Sequence, residues 1–117
     1  MLASTALLRA QIAIVHDADT PAPLLAGVRQ RLADEALARD APLPQLEIAP
    51  EGPSDPLWRL RTWQAVLWLA GAPIPEDWRR SWEIEGVRVL LPPTEDLPSA
   101  LHVQAAGTRL ADEALAQ

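Results

Sequence analysis

The 117-residue chain has no Cys, Lys, Asn, Phe or Tyr. Without Cys, disulfide frameworks, thiol catalysis, thiolate zinc sites and iron–sulfur clusters are excluded. The two imidazoles, His16 and His102, are too few for a three-His metal site within one chain. Cations are also scarce: ten Arg stand against sixteen acids, for a formal charge of −6. A phosphate-backbone binder needs a cationic surface, so no direct nucleic-acid binding is expected. Charges break every apolar run short of the roughly 18 residues that span a bilayer. Met1–Ala13 lacks the layout of a signal peptide, and the expectation is a cytoplasmic chain with no membrane segment. No Walker loop, no G-x-G-x-x-G and no G-x-S-x-G occurs, which removes the common nucleotide cradles and the nucleophile elbow.

Apolar residues make up 49% of the chain and charged residues 22%, the balance of a globular domain. The reading is an N-terminal segment, 1–10, followed by one domain, 11–117. Gln11–His16 (QIAIVH) is a β-branched run that ends in an acidic turn before Pro21, as a buried strand feeding a helix does. Leu24, Val28, Leu32 and Ala36 recur at four-residue steps and predict a helix that runs to Arg39. Gln45–Ala49 alternates like a strand, and Pro50–Pro56 is a loop. Leu57–Trp63 fits either a short helix or irregular chain. Ala65–Ala70 (AVLWLA) is continuously apolar, the pattern of a strand buried on both faces. Pro75–Trp82 predicts a short helix, Val87–Leu91 a strand, Leu101–Gln104 a fifth short strand and Thr108–Gln117 a terminal helix. The octad RLADEALA occurs twice, at Arg31–Ala38 and Arg109–Ala116.

Alternation of this kind implies a three-layer α/β fold, with a four- or five-stranded, mainly parallel sheet and helices on both faces. Ligands of such sheets gather beyond the carboxyl ends of the strands. That directs attention to His16–Thr20, Gly71–Pro75 and Pro92–Asp96.

Two features stand out there. Asp17 and Asp19 follow the first strand, where paired carboxylates can share Mg²⁺ and orient a phosphate. The stretch resembles the strand–DxD opening of haloacid dehalogenase phosphatases and the acidic pair of response-regulator receivers. That resemblance implies Asp17 as nucleophile, Asp19 as general acid, and Glu95 with Asp96 as a second acidic pair at the metal. Thr20 and Pro21 depart from the phosphatase pattern, and AVLWLAG has no Asp to accept a phosphoryl group as a receiver would. The alternative role for these acids is to end a strand and cap a helix, with no catalytic residue and no cofactor. The second feature is tryptophan: all five lie between Trp58 and Trp82. Trp is enriched at interaction hot spots, so Trp58, Trp78 and Trp82, with Arg79 beside them, are candidate partner-binding residues. Core filling is the competing role.

From Gln11 to Leu97 the chain also resembles the psi subunit of the bacterial DNA polymerase III clamp loader. The resemblance rests on QIAIVHDADTPAPLLAGVRQRL, on Trp68-Leu69-Ala70-Gly71, on Ile84–Pro92 and on Asp96-Leu97. It implies a non-catalytic adaptor, an accessory subunit in DNA replication that docks to another protein subunit of the chi type. The alternative is a Mg-dependent phosphatase-like or degenerate receiver-like domain.

Overall fold

The computed structural model describes residues 12–43, 45–51 and 63–116. Four strands, β1 (Ile12–Val15), β2 (Gln45–Ile48), β3 (Ala65–Trp68) and β4 (Arg88–Leu90), form one parallel sheet in the order β2-β1-β3-β4. Three helices accompany them: α1 (Ala22–Arg39), α2 (Glu76–Glu85) and α3 (Ala100–Leu115). The architecture is the expected three-layer α/β fold. The β1–β2 connection runs one way along the sheet and the β3–β4 connection the other. Right-handed crossovers in opposite directions place their helices on opposite faces. Accordingly α1, joined by α3, covers one face and α2 the other.

Alternation along the two central strands divides the core. Ile12, Ile14, Ala65, Leu67 and Leu69 face α1 and α3, while Ala13, Val15, Val66 and Trp68 face α2. The two layers solve packing differently. Two helices share the first face, and they meet through small residues. A Cβ built on Gly27 would lie 2.1 Å from the Gln104 carbonyl oxygen, and one on Gly107 would lie 2.2 Å from that of Leu24. One ten-residue helix must cover the second face, and it does so with indole rings. Trp68, Trp78 and Trp82 form a triangle with ring centroids 6.2 to 6.4 Å apart. Each buried Trp removes a large apolar area from water, so a short helix suffices.

The helix ends follow local chemistry. Gly86 (φ 74°) closes α2 in the left-handed conformation, with Val87 N–H donating to Trp82 O in a Schellman motif. Asp40 (φ 54°) does the same for α1 despite its side chain. At the end of α3, Arg88 donates to Ala114 O and Ala116 O, and Gln64 to Ala114 O. Leu101–Gln104, expected as a fifth strand, is instead the first turn of α3. The Ser99 hydroxyl accepts the His102 N–H as an N-cap, and this S-x-x-H cap outweighs the β propensity of Val103. Both RLADEALA octads lie on the paired helices, where Arg31 reaches Asp112 across the interface. The N-terminal segment 1–10, residues 52–56 of the expected Pro50–Pro56 loop, and all of Leu57–Trp63 except Trp63 lie outside the described residues. Among the described residues no helix is long and apolar enough to cross a membrane.

Candidate functional site

The strand order reverses direction between β1 and β3, and the loops after these strands face each other across that crevice. Asp17 fills it. Its Oδ1 accepts from Asp19 N–H (2.9 Å) and Gly71 N–H (3.1 Å), and its Oδ2 from Gly71 N–H (3.1 Å) and Ala72 N–H (3.3 Å). The Gly71 N–H bond, ahead of those from Ala72, Asp19 and Thr20, holds the carboxyl below its ordinary value of 3.8, against the opposing effect of burial. Thr20 completes the link: its hydroxyl donates to Leu69 O at 2.9 Å and accepts from Asp17 N–H at 3.0 Å. Gly71 is required because a Cβ there would stand 2.7 Å from the Asp19 Cβ.

A carboxylate with both oxygens occupied by main-chain donors is a structural latch, poorly placed to attack phosphorus or to ligate Mg²⁺. No group of three or more metal-ligating side chains exists among the described residues, so Asp17, Asp19, Glu95 and Asp96 do not assemble into one metal site. That geometry lends the phosphoryl-transfer alternative no support. Beside the latch, Glu47 accepts a two-pronged bond from Arg29 and a 2.9 Å contact from His16 Nε2. This ties the exposed strand β2 to α1 and to the end of β1.

The tryptophan expectations divide. Trp82 is fully buried and Trp78 is 9% exposed, both inside the core under α2, so neither presents a ring to a partner. The spacing that puts them on one helical face is a core stripe. Arg79 is exposed but paired with Glu76 and Glu83 along its own helix. Trp58 lies outside the described residues.

The open concavity lies one step along the same edge of the sheet. A cleft of about 330 Å³ is bounded by the start of α1 (Pro21, Leu24), the end of β3 (Leu69), the segment after β4 (Pro92, Pro93, Glu95, Asp96, Leu97) and the first turns of α3 (Val103, Ala106). A second depression of about 260 Å³ adjoins it, shares Pro93, Glu95, Leu97 and Ala106, and reaches Arg109 and Glu113. The larger cleft is mostly apolar in lining, the smaller mixed, and the Glu95 and Asp96 side chains are exposed. Pro92–Asp96 therefore sits where strand-end reasoning directs attention. Val103 and Ala106 are wall residues that the sequence did not single out, since Leu101–Gln104 reads as a strand and not as the first turn of α3. The S-x-x-H cap was the signal for them.

No family model and no curated protein matches this chain. Among solved structures, it is similar to the lactose-specific IIB component domain of the phosphoenolpyruvate:carbohydrate phosphotransferase system from Streptococcus pneumoniae. The identity is 9% and the TM-score 0.44, over 90% of this chain and 93% of that one. With no clamp-loader family model or curated psi subunit matching, the expectation of a psi-like replication adaptor is corrected, and its chi-like partner is left without support.

Proposed function

We propose that this domain binds a small molecule in the cleft between the amino ends of α1 and α3. The observation that carries the reading is the cleft itself: about 330 Å³, mostly apolar in lining, and set beyond the carboxyl ends of β3 and β4. Ligand sites of open α/β sheets occupy this edge, and their volumes begin near 300 Å³. The crevice between β1 and β3 is taken by the Asp17 carboxylate, which leaves the neighbouring cleft as the accessible concavity on this edge. Two features support a preformed site. Thr20 and Asp17 tether the floor at Leu69 to Gly71, and the Gly27–Gly107 crossing holds the two helical walls together.

The test is an amide NMR screen of small apolar and amphipathic compounds against the wild-type chain and Val103→Trp. Val103 is half-buried at the cleft wall, so an indole there fills the space without entering the core. The expected result is saturable shifts at Leu69, Leu97 and residue 103 in the wild type, lost in a variant of unchanged Tm. Hits that bind Val103→Trp as well as wild type would refute the assignment.

A further inference from the structure

Resting on the reading of the cleft as a ligand site, we infer that its occupant is an apolar amine, with its cationic head at Glu95 and Asp96. The apolar floor of Leu24, Leu69, Leu97 and Val103 takes the hydrocarbon body. The head group is set by charge. The cleft and its adjoining depression carry Glu95, Asp96 and Glu113 against the single cation Arg109. Among the described residues neither Glu95 nor Asp96 has an ion-pair partner or a hydrogen bond, so both carboxylates remain available.

Two helices begin at this cleft, and free helix starts attract anions. Here the donors that would do so are depleted. α1 opens with Pro21-Ala22-Pro23, in which two residues have no N–H, and the N–H groups of Leu24 and Leu25 both bond to Pro21 O at 3.1 and 3.2 Å. At α3 the His102 N–H goes to the Ser99 hydroxyl and the Val103 N–H to Ser99 O. The main-chain donors of Gly71 and Ala72 are held by Asp17. These main-chain donors are spent internally, and the unpartnered side-chain charge, Glu95, Asp96 and Glu113 against Arg109, is negative on balance.

The experiment compares three probes that share a six-carbon chain: hexylamine, 1-hexanol and hexanoate. Each is titrated into the full chain at low and high salt and followed at the amides of Leu69, Leu97 and Val103. An exposed ion pair changes affinity by roughly 1.5- to 5-fold, so two carboxylates should favour hexylamine over hexanol by roughly 2- to 25-fold at low salt. High salt should bring the two toward parity. The Glu95→Gln/Asp96→Asn variant should bind hexylamine no better than hexanol. Hexanol or hexanoate binding as tightly as hexylamine overturns the amine assignment and leaves the cleft a ligand site. An amine preference that survives in the double variant also overturns it. A flat response of all three amides to every probe removes the ligand-site reading itself.

Discussion

Replacing Gly107 by Ala gives the sharpest test of how the two-helix layer is built. Gly107 lies in the interior of α3, where helix propensity alone predicts that Ala stabilises by about 1 kcal/mol. The packing predicts the opposite sign. The new Cβ would meet Leu24 O at 2.2 Å and Val28 N at 3.1 Å, both main-chain atoms of α1 that no rotamer change can move. Restoring an ordinary contact needs roughly 1.2 Å of helix separation, and gaps near 1 Å forfeit up to about half of each dispersion well along the seam. Leu24, Val28, Leu32, Leu110 and Ala111 all share that seam. Overpacking typically costs about 1–3 kcal/mol. With two rigid backbones in the way the cost should lie at the top of that range, for a net loss near 2 kcal/mol after propensity. In a chain of this size that is a Tm lower by about 8 °C. Urea unfolding monitored by circular dichroism and Trp fluorescence measures it. Ala105→Gly, at an exposed site on the same helix, supplies the propensity scale. Gly27→Ala creates the mirror clash with Gln104 O, so one displacement relieves both and the double variant should lose less than the sum. A Gly107→Ala protein more stable than wild type would refute the close crossing.

Trp82→Ala should cost about 3–5 kcal/mol, because the side chain is fully buried among Trp68 and Trp78; a loss near zero by urea unfolding would place it at the surface. Asp40→Gly should stabilise by about 0.5–1 kcal/mol, since it relieves a left-handed backbone and removes an acid from the negative end of α1; calorimetry showing a lower Tm would contradict this. Asp17 titrates below its ordinary value of 3.8, so its stabilising bonds are fully present above that pH and are lost as the pH falls through the lower native value. The Tm difference between wild type and Asp17→Ala should therefore be constant near neutrality and shrink only below pH 3.8. A difference that changes between neutrality and that value would show another group at work.

Periodicity and turn chemistry made much of the fold legible. AVLWLA reads as a doubly buried strand because both faces of β3 are covered, and the four-residue steps of Leu24, Val28 and Leu32 mark the buried stripe of α1. The start of α3 reads as a strand at Leu101–Gln104, whereas the helix runs unbroken through Gly107 from Ala100 to Leu115. A glycine can interrupt a helix or let it touch another, and only the neighbour decides which. The same limit applied to the indoles. Trp78 and Trp82 on one face fit a core stripe and a hot spot equally well, until Trp68 is seen between them and the sheet.

Asp17 and Asp19 carry the same lesson into the candidate site. A pair of acids after a strand is a local pattern, but its chemistry depends on what the facing loop offers. Main-chain donors from Gly71 and Ala72, more than fifty residues away, turn Asp17 into a latch. The cleft beside it is bounded by α1, β3, the segment after β4 and α3, four pieces with no spacing rule linking them. Hydrophobic period and capping act over a few residues, so the sequence by itself determined the four strands, α1, α2, the layers and the absence of thiol or three-His chemistry. Which carboxylate is spent and which stands free depends on contacts between distant segments, and only the tertiary structure decided that.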